Sequence, residues 1–166
     1  MSEPITELDA RYGEPDAGPT SWTEAQRTLE AAELYWVTTV RPQGGPHITP
    51  LVGVHHDGTL RFTTGADERK GRNLAANPRC AMSTGCNTLH AGLDVVVEGV
   101  AERITDDAVL RATAAAFLAK YGDEWRFEVA DGVFVHGGGR AVVFELRPTV
   151  AYAFAKSPYS HTRYRF

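Results

Sequence analysis

The feature that most constrains this chain is a succession of short segments rich in β-branched and aromatic residues, separated by turn signals. The first is Tyr35–Val40 (YWVTTV), which a Pro- and Gly-rich turn at 41–46 separates from the second, His47–His56. Asp57-Gly58, a dipeptide typical of tight hairpins, leads into the third, Thr59–Thr64. Because strands joined by short turns pair antiparallel, this order predicts an antiparallel sheet.

Further segments have the same β-rich character. They lie at 79–84, 93–104, 141–146 and 150–154, and residues 147–149 predict a turn that joins the last two into a hairpin. Pro50 predicts an edge, a bulge or the approach of another molecule, because proline cannot donate to a ladder, and Gly99 predicts a bend or bulge. About seven strands in hairpin order avoid open edges by closing on themselves, so we predict a mainly β fold, an antiparallel β-barrel with peripheral helices.

Helical patterns flank these strands. Thr23 and Gln26 form a candidate capping box for a helix that runs to about Glu33, and a second helix is predicted after Asp106-Asp107, up to about Tyr121. Residues 123–139 show no regular pattern, whereas the aromatic and basic tail 156–166 is expected to dock onto the fold. We expect residues 1–22 to form a loose N-terminal arm, able to wrap a partner subunit, and residues 23–166 to form one domain.

Composition excludes several classes of protein. The chain has 166 residues, 43% of them hydrophobic, and a net charge of −4, which argues against general affinity for nucleic acid. No apolar run approaches the roughly 20 residues that span a bilayer, and the N-terminus lacks the pattern of a secretory signal. Cys80 and Cys86 do not have the spacing of a metal motif. We therefore expect reduced thiols in a cytoplasmic protein that does not contact membranes.

A cluster of cations follows the third predicted strand. Asp67 is a candidate N-cap, Asn77-Pro78 a stop signal, and the first turn of the helix between them carries Arg69, Lys70 and Arg72. The amino end of a helix presents unpaired N–H groups and the positive end of the dipole. Cations there stabilise the helix poorly but favour a bound phosphate. The alternative interpretation is a solvated basic face without a ligand.

Three segments carry a resemblance when they are taken in order. They are Trp36–Leu51 (WVTTVRPQGGPHITPL), Leu60–Gly65 (LRFTTG) and Arg69–Pro78 (RKGRNLAANP). Together they resemble the flavin-binding split β-barrels, the superfamily named after pyridoxamine 5′-phosphate oxidase. The end of the chain, Ser160–Phe166 (SHTRYRF), is similar to that of actinobacterial-type members. The resemblance covers about residues 23–166 and implies a split β-barrel of the FMN-binding type.

The resemblance also implies a homodimer in which both subunits form each cofactor site across their interface. The second predicted strand would face the ring system, the end of the third would flank it, and the basic helix would bind the phosphate. The implied cofactor-binding residues are Ile48, Thr49, Pro50, Leu51, Phe62, Thr63, Thr64, Arg69, Lys70, Arg72, Asn73 and Arg163. Residue chemistry agrees with this, because an arginine fork and a lysine point charge suit phosphate oxygens.

The implied cofactor is either coenzyme F-420 or flavin mononucleotide (FMN). The form RKGRNL at 69–74 is more similar to the F-420 branches, and the richness in Ala, Gly, Arg and Val is compatible with an actinobacterial source. The implied function is an oxidoreductase that transfers hydride to or from a small planar or unsaturated substrate. The alternatives are a flavin or haem carrier or sensor without turnover, and a structural barrel without a cofactor. Pyridoxamine-phosphate oxidases usually end in an Arg-Leu-x-Pro-type segment, so the ending Arg-Tyr-Arg-Phe argues against a vitamin B6 role.

Candidates for a proton donor beside the hydride are His47, Tyr159 and His161, although each residue type also occurs as a packing or solvent-facing group. No metal site is expected. His55 and His56 are adjacent on a predicted strand, so their side chains point to opposite sides and do not chelate together.

Overall fold

The computed structural model describes residues 3–166, in which eleven strands and three α-helices form. The strands are β1 (Ile5–Gly13), β2 (Tyr35–Val40), β3 (Pro46–Leu51), β4 (Gly53–His56), β5 (Thr59–Thr64), β6 (Arg79–Thr84), β7 (Leu93–Ile104), β8 (Glu128–Ala130), β9 (Val133–His136), β10 (Gly139–Lys156) and β11 (Tyr159–Arg165). The helices are α1 (Trp22–Ala31), α2 (Arg69–Ala76) and α3 (Asp107–Tyr121), and a 3₁₀ turn follows at Asp123–Trp125. All pairings among these strands are antiparallel, which confirms the predicted fold class.

The strands close into a barrel whose central element is β10. Along one side β10 pairs with β7, and the sheet continues from β7 to β6, β2 and β3. The predicted strand His47–His56 is interrupted at Val52 into β3 and β4, and β4 pairs with β5, which returns to the first half of β10. The second half of β10 pairs instead with β11, and β11 with β1, so the sheet splits at β10.

The hairpin predicted for residues 141–154 is wrong, because these residues belong to one strand of 18 residues. Proline normally ends a central strand because it has no N–H to donate. Here Pro148 lies where the register between β7 and β10 shifts, and the extra residue in β10 forms a bulge that accommodates the missing hydrogen bond. The partner of Pro148 is Gly99, and a Cβ added to Gly99 would lie 1.9 Å from the carbonyl oxygen of Arg147. The bulge predicted from Gly99 is therefore confirmed.

The loose N-terminal arm is also a wrong prediction for residues 5–13, which form β1 on the edge of β11. Charge pairing accounts for part of this, since the carboxylate of Glu7 accepts hydrogen bonds from both Arg163 and Arg165. The C-terminal tail lies between β1 and β10, so its predicted docking is confirmed.

Two helix starts differ from prediction. Ser21, not Thr23, caps α1, because the Oγ of Ser21 accepts the backbone N–H of Glu24 at 3.2 Å. The residue at the N-cap position of α2 is Glu68, not Asp67, and its side chain does not cap the helix.

The segment 123–139 is not irregular, since it contains the hairpin β8–β9. Its turn is Asp131-Gly132, with φ of 51° and 69°, which is the same dipeptide and backbone conformation as at Asp57-Gly58. The sequence signal was therefore present.

The core fills the barrel, and the helices cover its ends and one side. The largest side chains inside include Tyr35, Phe62 and Met82, all 0% exposed. At one end of β2 the hydroxyl of Tyr35 donates to a carbonyl of α1, and at the other end Thr39 contacts α2. Helix α3 packs outside, where Phe117 joins a second cluster with β4, β9 and β10. No helix within residues 3–166 has the length and apolar character needed to cross a bilayer.

Candidate cofactor site

A tight turn between β5 and α2 sets the position of the cation cluster. The backbone N–H of Gly65 donates to Glu68 Oε1, and the N–H of Glu68 donates to the carbonyl of Gly65, both at 3.1 Å. Gly71, in the first turn of α2, lies against this loop so closely that a Cβ there would be 2.5 Å from the Gly65 carbonyl oxygen. The glycine therefore lets the amino end of α2 approach the end of β5.

The cations of α2 differ in whether they form an ion pair. Lys70 forms an ion pair with Glu68, and its hydrogen bond lowers the pKa of that carboxyl. Arg69 and Arg72 are exposed and form no ion pair with the acidic groups of residues 3–166. Two guanidinium groups at the start of the helix are thus available to an anion.

Helix α2 is fixed to the barrel through Asn73. This side chain is 1% exposed, and its Nδ2 donates to Thr39 Oγ1 at 3.0 Å. Thr39 Oγ1 in turn donates to the carbonyl of His47 at 3.4 Å, which links α2 to β2 and β3. Asn73 was predicted to lie close to the phosphate, but its amide nitrogen faces the barrel and anchors the helix.

Polar atoms without partners are concentrated at this junction. Within residues 3–166 the buried side-chain nitrogen and oxygen atoms that lack a hydrogen bond are His47 Nδ1, Thr49 Oγ1 and Asn73 Oδ1. Leaving such atoms unpaired costs about 1–3 kcal/mol each, so most buried polar groups are satisfied. These three lie on β3 and α2, and the charges of Arg69 and Lys70 on α2 act on His47. The residues present therefore fit a polar ligand that carries a phosphate.

His47 lies among positive charges. Burial lowers its pKa, and the charges of Arg41, Lys70 and Arg69 lower it further. The guanidinium of Arg41 is held next to it by a hydrogen bond to the carbonyl of Pro46. Both effects favour the neutral imidazole of His47 in the free protein.

Strand β3 presents its predicted residues to two different sides. Thr49 lies opposite the core residue Val37, so it and Leu51 are half-buried, whereas Ile48 is 57% exposed and Pro50 is exposed on the outer side. Among residues 3–166, β3 pairs only with β2. Its other edge is open, as expected for a strand that contains Pro50.

The residues of β5 fit the predicted role less well. Phe62 is 0% exposed and stacks on Phe144 at 5.6 Å inside the barrel, so its side chain does not flank a ligand in this chain. The hydroxyl of Thr63 donates to the carbonyl of Val142, and that of Thr64 to the carbonyl of Gly65. Strand alternation places Phe62 on the core side, a consequence that the motif alone did not reveal.

Two of the C-terminal candidates, His161 and Arg163, line a separate groove of about 810 Å³ on the outer side of the sheet, and Tyr159 contacts His161. His161 is surrounded by rings: Tyr12 stacks on it at 5.3 Å, Phe154 contacts it edge-on at 4.8 Å, and the hydroxyl of Tyr159 is 2.7 Å from its Nε2. Arg163, predicted to bind the cofactor, instead pairs with Glu7 on the same wall. Prediction missed Tyr12, because β1 reaches this groove only through long-range pairing with β11.

The groove and the cation cluster are far apart along the sheet of one chain. Strands β11 and β3 are five positions apart in the strand order, or about 24 Å at the usual spacing of strands. The groove and the outer side of β3 nevertheless lie along one outer face. A single cross-strand row runs over seven strands through Glu7, Arg163, Tyr152, Val96, Ser83, Trp36 and Pro50. Trp36 and Ile48 are 49% and 57% exposed on this face.

Comparison with known proteins agrees with this architecture. A family model described as pyridoxamine 5′-phosphate oxidase matches residues 21–154. A conserved hypothetical protein of Mycobacterium tuberculosis, Rv2991, superposes with a TM-score of 0.70 at 19% identity over 87% of this chain and 89% of the other. A heme-binding protein of Mycobacterium smegmatis gives 0.68 at 22% identity over 88% and 59%. An F420 reductase gives 0.56 at 26% identity over 76% and 94%. No curated protein sequence matches significantly.

Proposed function

The chain belongs to the pyridoxamine 5′-phosphate oxidase family, and from this membership we propose that it binds a flavin-type cofactor, coenzyme F-420 or FMN, as an oxidoreductase. The observation that carries the proposal is the junction of β3 and α2, where three unpartnered buried polar atoms lie beside exposed guanidinium groups. The two features together support an anionic ligand with polar groups at this place. A phosphate with an attached polar ring system would satisfy both.

Each part of the site has a role in this proposal. Arg69, Lys70 and Arg72 hold the phosphate, because their charges lie at the amino end of α2. The open edge of β3 supplies backbone groups to the ring, with Pro50 as a flat surface that lacks an N–H. The bound cofactor would supply hydride chemistry, and the protein would position it and exclude water from it.

A homodimer would bring the two halves of the site together. Within one chain His161 and Tyr159 lie on β11, which is five strand positions from β3. At the usual strand spacing this is about 24 Å along the sheet. Exposed Trp36 and Ile48 on the same outer face provide apolar surface for a second copy. We propose that this face pairs with its counterpart, so that the groove of one subunit covers the β3 edge of the other. The proton-donor candidates Tyr159 and His161 would then act from the partner subunit.

Two measurements test the dimer. Light scattering at micromolar concentration is expected to give twice the chain mass, and Ile48→Glu, which introduces a charge on the outer face, is expected to give monomers. The matched control Leu89→Glu changes an equally apolar side chain that is 80% exposed but lies in the β6–β7 loop. A wild-type monomer would refute the shared site.

Cofactor binding is tested by titrating the cofactor-free protein with FMN and with F-420, followed by fluorescence. Arg69→Glu is expected to weaken binding at least tenfold, because it replaces a charge-assisted hydrogen bond by repulsion. Arg27→Glu makes the same charge change on α1 and is expected to have no effect. Equal affinity in both variants would show that α2 does not hold the phosphate. If neither cofactor binds, the proposal fails.

The groove supports the proposed substrate class. Its aromatic walls, Tyr12, Tyr152 and Phe154, suit a small planar or unsaturated compound. Addition of enones or quinones to the protein with reduced F-420 or FMN is expected to reoxidise the cofactor faster than in free solution. We propose a cytoplasmic location, since both cysteines are free thiols.

A haem carrier is the second candidate, favoured by one observation. His161 lies in an aromatic groove and could coordinate an iron through Nε2 if the hydroxyl of Tyr159 moved away. Hemin titration distinguishes the candidates: a Soret shift that His161→Ala abolishes favours the carrier, whereas substrate-dependent cofactor oxidation favours the enzyme.

A further inference from the structure

We propose that His47 is the fourth group of the phosphate site and that it takes up a proton when the phosphate binds. This inference rests on the proposed function and adds to it a residue and a coupling. It assigns to His47 a binding role in place of the catalytic role for which the sequence made it a candidate.

His47 lies at the junction between β3 and α2. It lies opposite Thr39 in the β2–β3 ladder, and its carbonyl accepts the hydroxyl hydrogen of the same Thr39 that holds Asn73 of α2. The side chain of His47 therefore lies on the same side of the ladder as Thr39, at the junction to which α2 is anchored. Its Nδ1 is buried and without a partner, which leaves one ring nitrogen unpaired in the free protein.

Positive charges act on the imidazole of His47 from two elements. The charged groups that act on the imidazole are Arg41 from the β2–β3 turn and Lys70 and Arg69 from α2, and Lys70 is in turn paired with Glu68. In the free protein these cations disfavour a fourth positive charge, so the pKa of His47 is lowered. The phosphate monoester of FMN carries about −1.5 to −2 charges at neutral pH and would offset the positive charges around the imidazole.

These charges determine how the affinity for the phosphate depends on pH. Bound phosphate raises the pKa of His47 above its value in the free protein, so the complex binds more protons than the free protein in the window between the two values. Affinity therefore increases as the pH falls through this window, by at most tenfold per pH unit for one coupled proton. An unperturbed histidine titrates near pH 6.5, and the pKa of His47 in the free protein lies below that value, so the window begins below pH 6.5.

The test is isothermal titration calorimetry with FMN in two buffers of different ionisation enthalpy, for the wild type and His47→Gln. Glutamine keeps the backbone bond to Thr39 and does not titrate. The phosphate monoester has a pKa near 6 and releases protons when it binds as the dianion, in both proteins alike. The difference between the proteins isolates His47, and we expect the wild type to take up more protons than the variant. The affinity ratio of wild type to variant is expected to increase severalfold from pH 7.5 to 6.

A second measurement needs no cofactor. The pKa of the His47 imidazole, followed by NMR in the free protein, is expected to increase in Arg69→Gln and to increase in the wild type when inorganic phosphate is added. The role of His47 is overturned if wild type and His47→Gln take up equal numbers of protons, or if neither Arg69→Gln nor inorganic phosphate alters the pKa of His47. Either result leaves the proposed function standing. Failure of both proteins to bind FMN and F-420 overturns the proposed function and this inference together.

Discussion

Replacement of Gly71 by alanine is expected to destabilise the protein, against the usual effect of that substitution in a helix. Glycine in a helix interior is about 1 kcal/mol less favourable than alanine, so propensity alone predicts a gain. The added Cβ, however, would lie 2.5 Å from the carbonyl oxygen of Gly65 and 2.8 Å from that of Ala66. Real Cβ atoms do not approach this closely, and both neighbours are backbone atoms in a closed turn.

The clash is expected to outweigh the propensity. Overpacking of this kind costs up to about 3 kcal/mol, and subtraction of the gain of about 1 kcal/mol leaves a net loss of up to about 2 kcal/mol. For a chain of this length the midpoint of thermal unfolding should fall by up to about 8 °C. Relief of the clash moves the amino end of α2 away from β5, so Arg69 and Lys70 lose their positions and FMN or F-420 should bind about tenfold more weakly.

Urea unfolding and cofactor titration check both effects, with Ala75→Gly as the control. Ala75 lies in the same helix and is exposed, so the control should lose about 1 kcal/mol through propensity without change in cofactor affinity. A Gly71→Ala protein as stable as the wild type, with unchanged affinity, would refute the argument that this glycine is required for close approach.

Three further outcomes are expected. Cys86 should react with iodoacetamide much faster than Cys80 near pH 8, because hydrogen bonds from Thr88 lower the pKa of the Cys86 thiol, whereas burial raises that of Cys80 to about 12; equal rates by mass spectrometry would contradict this. Burial lowers the pKa of Lys120 to about 8, so the unfolded chain binds more protons than the folded protein between about pH 8 and 10. Denaturant unfolding should therefore show that the stability of the wild type increases with pH in this range, and that the stability of Lys120→Met increases less. Gly99→Ala should cost about 3 kcal/mol or prevent folding, because its Cβ would lie 1.9 Å from a backbone oxygen of β10; a wild-type melting curve would disprove it.

Local patterns predicted most of the barrel because each strand is specified by its own residues and turns. Tyr35–Val40 alternates between core and outer face, and Asp57-Gly58 forms the hairpin turn that its sequence indicates. The same turn signal at Asp131-Gly132 predicts β8–β9 equally well once it is read. Pro148 misled the prediction, since the cost of a proline in a strand depends on whether the facing strand accommodates a bulge.

The cation cluster of the site was also visible in sequence, because Arg69, Lys70 and Arg72 are neighbours on one helix. Their relation to His47 was not, since it depends on how α2 docks against β2 through Asn73. Contacts between residues distant in sequence leave no local pattern in a single chain.

The sequence by itself determined the strand-rich fold class, the hairpin order and a helix with cations at its start, because these follow from nearest-neighbour preferences. The tertiary structure decided that β10 is one strand shared by barrel and extension, that residues 5–13 pair with the C-terminal strand, and that Phe62 faces the core. It also placed three unpartnered polar atoms at one junction. Those outcomes depend on long-range register, in which a shift of one residue exchanges the two faces of a strand.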